Sequence, residues 1–279
     1  MARSHILKGY SDLESVLWIH KYHPGPASAR EMARLAQENG YTVTDTARYE
    51  AAQLLDEWGL ADKKERTLTP EGEALYSLWE TKRSTAIDLL HGRQYSLWTS
   101  DQPSQNLASW AYKMVCDYLW ERQTLPEKGD LLSYIADLRV MNEDRISLDI
   151  GVAFSTKSIN AGSDWLLPLD PPVLEGVEIG VRSNSYQNAT FRRRAFCSTA
   201  LFVMALGYIV RESASAFGEL IKIDDERRQA VCRFCLINET GFDLMLDDAL
   251  RKVPYISVQK ELEIYIAIDR EPQIADFLD

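Results

Sequence analysis

At 279 residues, with 46% apolar and 26% charged side chains, the chain is long enough for two domains and has the composition of an ordinary globular protein. Its net charge of −11 argues against a general polyanion binder, because an evenly acidic surface repels a phosphate backbone, so any nucleic-acid contact must come from a local basic surface. Four cysteines do not make a disulfide framework and fit a reduced, cytoplasmic setting.

Residues Met1 to His5 lead into a polar stretch without the apolar run of a signal peptide. Ser11-Asp12-Leu13-Glu14 then has capping-box spacing and predicts a first helix. Its inward side chains are Leu13, Val16, Leu17 and Trp18, and it stops near His23-Pro24-Gly25-Pro26. Ser28-Ala29-Arg30-Glu31 is a second such box, opening a helix with Met32, Leu35 and Ala36 inward and Asn39-Gly40 at its end. After a short link, Thr44 is the expected cap of a third helix from Asp45 to Trp58, with Ala47, Ala51, Leu54, Leu55 and Trp58 facing the core. Gly59 follows as its terminator. Asp62 to Arg66 form a polar tip between two short extended segments, and Thr69 with Pro70 starts a fourth helix.

Three short helices, a two-stranded wing and a return helix describe a winged helix-turn-helix. The stretch WGLADKKERTLTPEGEALYSLW resembles the wing and following helix of MarR-like and PadR-like proteins, over roughly residues 10–82. That resemblance implies that the third helix enters the major groove of double-stranded DNA and offers Thr44, Thr46, Arg48, Tyr49 and Gln53 to base edges. Arg48 is the candidate for a bidentate guanine contact. Lys63, Lys64 and Arg66 on the wing would hold phosphates or the minor groove, with Arg30 and Arg34 on the second helix as further phosphate contacts. The pattern departs from a plain DNA reader in its acids: Asp45, Glu50, Asp56 and Glu57 accompany the reading helix, and Asp62 and Glu65 flank the wing lysines. A protein-binding winged helix therefore stays open beside the DNA-binding one.

Residues 80–122 read as helical, interrupted by the turn-rich QYSLWTSDQPSQN. Leu107, Trp110, Ala111, Met114, Val115, Tyr118 and Leu119 recur at helical spacing as a core or dimer stripe. A further helix is expected from Lys128 to Leu138 with Leu131, Leu132, Ile135 and Leu138 inward, and a second, degenerate helix-turn-helix across 105–145 is open. RISLDIGVAF has strand-like alternation, and the proline-bearing segment between Asn160 and Asn188 reads as the flexible or insertion-like part. Arg192-Arg193-Arg194 concentrates positive charge, either as a phosphate or partner contact at a helix start or as solvated arginines paired with nearby acids. The uncharged run from Ala195 to Val210 falls short of the roughly 20 residues of a membrane span and reads as a buried helix. Leu220 to Ile223, Ala230 to Ile237, Phe242 to Leu250 and VPYISVQKELEIYIAI complete an α+β region.

Cys232-Arg233-Phe234-Cys235 has metal-ligand spacing but no second pair downstream, so buried thiols are expected rather than a zinc site. Glu219 and Lys222 do not match the spacing of a nuclease acid-lysine pair, and no phosphate-binding glycine loop is present, so neither catalysis nor a cofactor is expected. The predicted fold is mostly helical α+β: a winged helix-turn-helix over 1–90, a helical region over 91–150 and an α+β region over 151–279 for dimerisation, effector or partner binding. The predicted function is sequence-specific DNA binding by a cytoplasmic transcription regulator. The alternative is a non-catalytic winged-helix subunit of a larger complex of the mobile-element or defence type.

Overall fold

The first helix, α1 (Tyr10–Tyr22), starts one residue before the predicted box. Gly9 holds the cap position and its carbonyl accepts the amides of Asp12 and Leu13, so Ser11 lies inside the first turn and caps nothing. The structure, a computed structural model, describes residues 9–25, 28–41, 45–102, 105–141, 155–180, 184–260 and 263–278, without the side chains of residues 29, 45–48 and 260. Helix α2 (Ala29–Glu38) is capped as expected, with the Ser28 hydroxyl accepting the Glu31 amide, and it ends at Asn39 and the left-handed Gly40. Helix α3 (Asp45–Glu57) turns its apolar side onto α1. Strands β1 (Ala61–Asp62) and β2 (Thr67–Leu68) pair antiparallel, Ala61 opposite Leu68.

Helix α4 (Pro70–Thr81) begins with the Thr69 hydroxyl accepting the Gly72 amide, while the same hydroxyl donates to the Gly59 carbonyl. Here the glycine of the LTPEG motif has a physical reason. A Cβ on Gly72 would lie 1.8 Å from the Leu60 carbonyl oxygen, so only glycine lets α4 approach the end of α3 this closely.

Helix α5 (Arg83–Ser96) occupies the centre and packs against α4, α6 (Leu107–Arg122) and the later helices α9 and α10. All seven positions of the predicted α6 stripe are buried. Helix α7 (Lys128–Met141) buries Leu131 and Ile135 but leaves Leu132 45% exposed. Of the predicted strand-like region, residues 145–154 lie outside the described residues. The segment from Asn160 onward is not a loose insertion: α8 (Thr156–Leu166), capped by Ser155, drives Trp165 into the core at 1% exposure. Its ring meets Tyr10 at 4.7 Å, Trp58 at 5.6 Å and Tyr112 at 5.9 Å, and its carbonyl accepts the Tyr10 hydroxyl. The prolines themselves, Pro168, Pro171 and Pro172, lie in irregular chain after α8, as their content implies.

Strands β3 (Leu174–Glu175) and β4 (Thr190–Phe191) pair next, followed by the buried helix α9 (Thr199–Glu212), β5 (Ile221–Lys222), α10 (Asp225–Cys235) and α11 (Glu239–Lys252). The closing VPYISVQKELEIYIAI stretch is a hairpin of β6 (Ile256–Lys260) and β7 (Ile264–Ile268), with β5 on the far side of β7. A final 3-10 turn, Ile274–Phe277, returns to α4, where Glu71 accepts the Ile274 amide. One continuous core runs from Leu13 to Ile274, and the boundary expected at residue 90 falls inside α5. No helix among the described residues is long and apolar enough to cross a membrane.

The third arginine of the triplet organises the centre. Arg194 is buried, donates to Asp88 of α5 at 2.8 Å and to the Cys235 carbonyl at 2.9 Å, and Asp88 also accepts the Ser198 amide at 2.7 Å. One turn along α5, His91 lies between the Tyr112 hydroxyl at 2.7 Å and the Phe234 carbonyl at 2.8 Å. A carbonyl only accepts, so Nε2 carries a proton. Burial, followed by the charge of Arg194, lowers its pKa to about 4.

Removing one partner of a buried pair leaves a bare charge, so Asp88→Ala should lower stability by about 3–5 kcal/mol in urea unfolding. Asp88→Leu combined with Arg194→Met should recover most of that loss. His20, buried with both ring nitrogens unpartnered among the described residues, is also lowered to about 4, by burial and then by Arg66. Both folded-state values lie below the ordinary value near 6.5, so the unfolded chain takes up protons first. Their stabilisation is complete above pH 6.5 and is lost as pH falls toward 4, by about 3 kcal/mol for each ring at the limit. Urea midpoints measured from pH 7 to pH 4.5 should show this fall, and His20→Leu should remove about half of the imidazole contribution.

Candidate nucleic-acid interface

Helix α3 and the hairpin of β1 and β2 form one surface, joined by side chains. The Asp56 carboxylate accepts the Lys63 amide at 3.1 Å, fastening the hairpin to the last turns of α3. Asp62 accepts the amides of Lys64 and Glu65 at 2.8 and 2.9 Å and folds the tip, which closes through Arg66 in the left-handed region at φ 53°. Asp62 beside the lysines is thus structural: it satisfies backbone donors of the turn.

Tyr49 is 59% exposed on α3, and the Lys63 ammonium sits 4.2 Å from its ring centre while donating to its hydroxyl at 3.1 Å. Gln53, one turn on, is half-buried and donates to Glu57 at 2.9 Å. Lys64 is exposed at the tip. Thr44 lies outside the described residues, as do the side chains of Thr46 and Arg48, whose backbone is in the first turns of α3. Tyr49, Gln53, Lys63 and Lys64 are therefore brought to one face.

The remaining predicted contacts divide. Arg30 is exposed on α2, and Arg34 is exposed but paired with Glu38 at 2.6 Å. Arg66 does not extend from the wing: it is half-buried, one guanidinium nitrogen is buried without a partner, and its charge depresses the pKa of His20 in α1. Arg192, Arg193 and Arg194 do not form a cationic patch. Arg192 pairs with Glu175 at 3.1 Å, and Arg193 lies 3.8 Å over the Trp120 ring and donates to the Trp120 carbonyl. Arg194 is inside the core, and α9 starts only at Thr199, so the triplet is not at a helix start either. Arg194 in particular cannot touch a phosphate.

Comparison with protein-family models gave no match. Searches of curated proteins and of solved structures gave none either. The geometry of the chain alone carries the functional reading.

Other candidate chemistry resolves into structure. Lys222 is ion-paired with Glu263, and Glu219 accepts the Ala216 amide in its own turn. Among the described residues no three His, Cys, Asp or Glu side chains converge as a metal ion requires. Cys232 and Cys235 face into the core, donating weakly to the carbonyls of Asn238 and Leu201. Burial pushes the Cys232 thiol up to about 12 and raises the Cys116 and Cys235 thiols further, which suppresses the reactive thiolate. With all four cysteines buried, an aromatic disulfide reagent should titrate fewer than one thiol in the native protein and all four after denaturation.

Proposed function

We propose that this chain is a winged-helix protein that binds double-stranded DNA, inserting the N-terminal half of α3 into the major groove with the β1–β2 hairpin gripping the adjacent backbone. The observation that supports this most is the Lys63–Tyr49 contact, which makes the reading helix and the wing a single continuous surface. Groove insertion needs that continuity, because base contacts and phosphate contacts must share one register.

The acids at the end of α3 fit the same pose. Asp56 and Glu57 are in its last turn, and Asp56 lies eight residues from Arg48, about 12 Å along a helix axis. That exceeds a Debye length of about 8 Å at physiological salt, so Asp56 and Glu57 weigh little on a contact made by the first turns, whereas Asp45 and Glu50, within three residues of Arg48, oppose it. The helix N-terminus itself carries partial positive charge and favours phosphate. Arg48 reads a base edge, Lys64 and Arg30 contact phosphates, and two copies of the chain read two half-sites as a transcription regulator would.

A second reading has its own observation. The outward groups beyond Tyr49 are Gln53, Asp56 and Glu57, and Arg34 and Lys63 are already engaged, which suits a winged helix that docks on a protein within a larger complex.

Selection from a randomised duplex pool, followed by gel shifts across a salt series, separates the two. Arg48→Ala should weaken the selected site about tenfold or more and relax preference at one base position. Lys64→Ala should weaken all duplexes alike and reduce the salt slope by about 1. No retained duplex at about 50 mM salt would decide for the protein partner.

A further inference from the structure

A cavity of about 730 Å³ opens between α1, Tyr41 and the junction of α4 with α5. None of its lining residues belongs to α3 or the hairpin, so its chemistry is independent of the nucleic-acid surface. Its walls are aromatic: Trp18 and Tyr22 from α1, Tyr41, and Tyr76 and Trp79 from α4. The Trp18 ring lies 5.6 Å from Tyr22 and 6.1 Å from Tyr41, and Tyr22 meets Tyr76 edge-on at 6.0 Å. Two carboxylates, Glu14 and Glu80, complete the lining together with Arg83 and His23, whose ring lies 5.1 Å from Trp18.

Aromatic faces carry negative quadrupole potential, and several of them around a space with carboxylates at its edge make a seat for a cation too bulky or too weakly hydrated to prefer water. Arg83 displays that chemistry within the fold. Its guanidinium carbon lies 4.5 Å over the Trp79 ring, and it donates to Glu14 at 2.9 Å, although the side chain is 56% exposed. Arg83 serves only that end of the cavity. Glu80 accepts the Tyr22 hydroxyl and has no Lys or Arg partner among the described residues. The Tyr76 and Tyr41 hydroxyls are both held above the ordinary range, by burial first and then by the field of Glu80 and Glu14 respectively, so they remain neutral.

We propose that this cavity binds a small organic cation, an alkylammonium or guanidinium compound, against the Trp18, Tyr22 and Tyr41 rings, and that Arg83 occupies part of the seat in the free protein. The incoming cation stacks on Trp18 and Tyr22 with Glu80 as counter-charge, and displacement of Arg83 adds the Trp79 face and Glu14.

The test is titration of the full chain with choline, with methylguanidine and with 3,3-dimethylbutanol, the uncharged carbon isostere of choline, at constant ionic strength. Intrinsic tryptophan fluorescence and calorimetry are the readouts. Saturable binding of at least one cation, at least about tenfold tighter than the isostere, is expected. Arg83→Ala, a change at an exposed side chain, should bind that cation several-fold tighter because it empties the Trp79 face and frees Glu14. Tyr22→Leu should bind it about tenfold more weakly, with an unchanged melting temperature serving as the folding control. No saturable response to either cation in both the parent chain and Arg83→Ala overturns the proposal, as does equal binding of choline and its isostere. An Arg83→Ala chain that binds no tighter than the parent overturns the assignment of Arg83 to the seat.

Discussion

The contact between Arg194 and Asp88 is where separate parts of the chain are forced into one arrangement. A guanidinium buried in the core needs a carboxylate, and Asp88 supplies it from the middle of α5. The same carboxylate accepts the amide of Ser198, the residue that caps α9, and Arg194 donates to the end of α10 and to the Asp170 carbonyl. A buried ion pair contributes little net stability compared with apolar residues of equal volume, because both ions lose their hydration. It does discriminate between arrangements, since any slip of α5 against α9 or α10 leaves a bare charge in a medium of low dielectric.

Around that point α5 acts as the axle of the molecule. His91 reaches α6 and α10 through its two nitrogens, and Gln94 accepts the Trp58 indole N–H from the end of α3. Gly92 lies between them, where a Cβ would fall 2.8 Å from Leu201 and 3.2 Å from Phe234, so a larger residue would push α9 and α10 outward. The first four helices therefore do not form a separate body. Trp58 and Tyr10 insert into the same aromatic cluster as Trp165 of α8, and the last 3-10 turn closes back on α4. Two of the surfaces left to solvent are the hairpin beside α3 and the concavity behind α1.

These two surfaces use similar chemistry to different ends. On α3, Lys63 stacks on Tyr49 and so fixes the hairpin to the helix. At the α4–α5 junction, Arg83 stacks on Trp79 and leaves further rings uncovered. A cation on an aromatic face is structural when nothing else surrounds it and becomes a candidate binding feature when unengaged rings and a carboxylate share the same space. The aromatic spacing is present in the sequence, Trp18 with Tyr22 four residues on and Tyr76 with Trp79 three residues on, each pair lying on one side of a helix. Spacing does not reveal the cavity, because two such pairs enclose a space only when α1 and α4 lie side by side.

Local signals in the chain determined where most of the elements begin and end. Ser28 and Thr69 cap the helices that the spacing predicts, Gly59 and Gly40 take positive φ after α3 and α2, and the α6 stripe is wholly buried. Those features depend on hydrogen bonds and periodicities within a few residues, which a sequence contains in full. Only the tertiary structure decided the fate of the charges and of the irregular segments. Arg194 reads like its neighbours Arg192 and Arg193, yet it is buried because Asp88, 106 residues away, is positioned to receive it. Arg66 turns toward His20 instead of outward, and the proline-bearing stretch after α8 is held in place because Trp165 is enclosed by three distant rings. A charge or an aromatic ring takes its role from partners remote in the chain, and that is information that spacing alone does not hold.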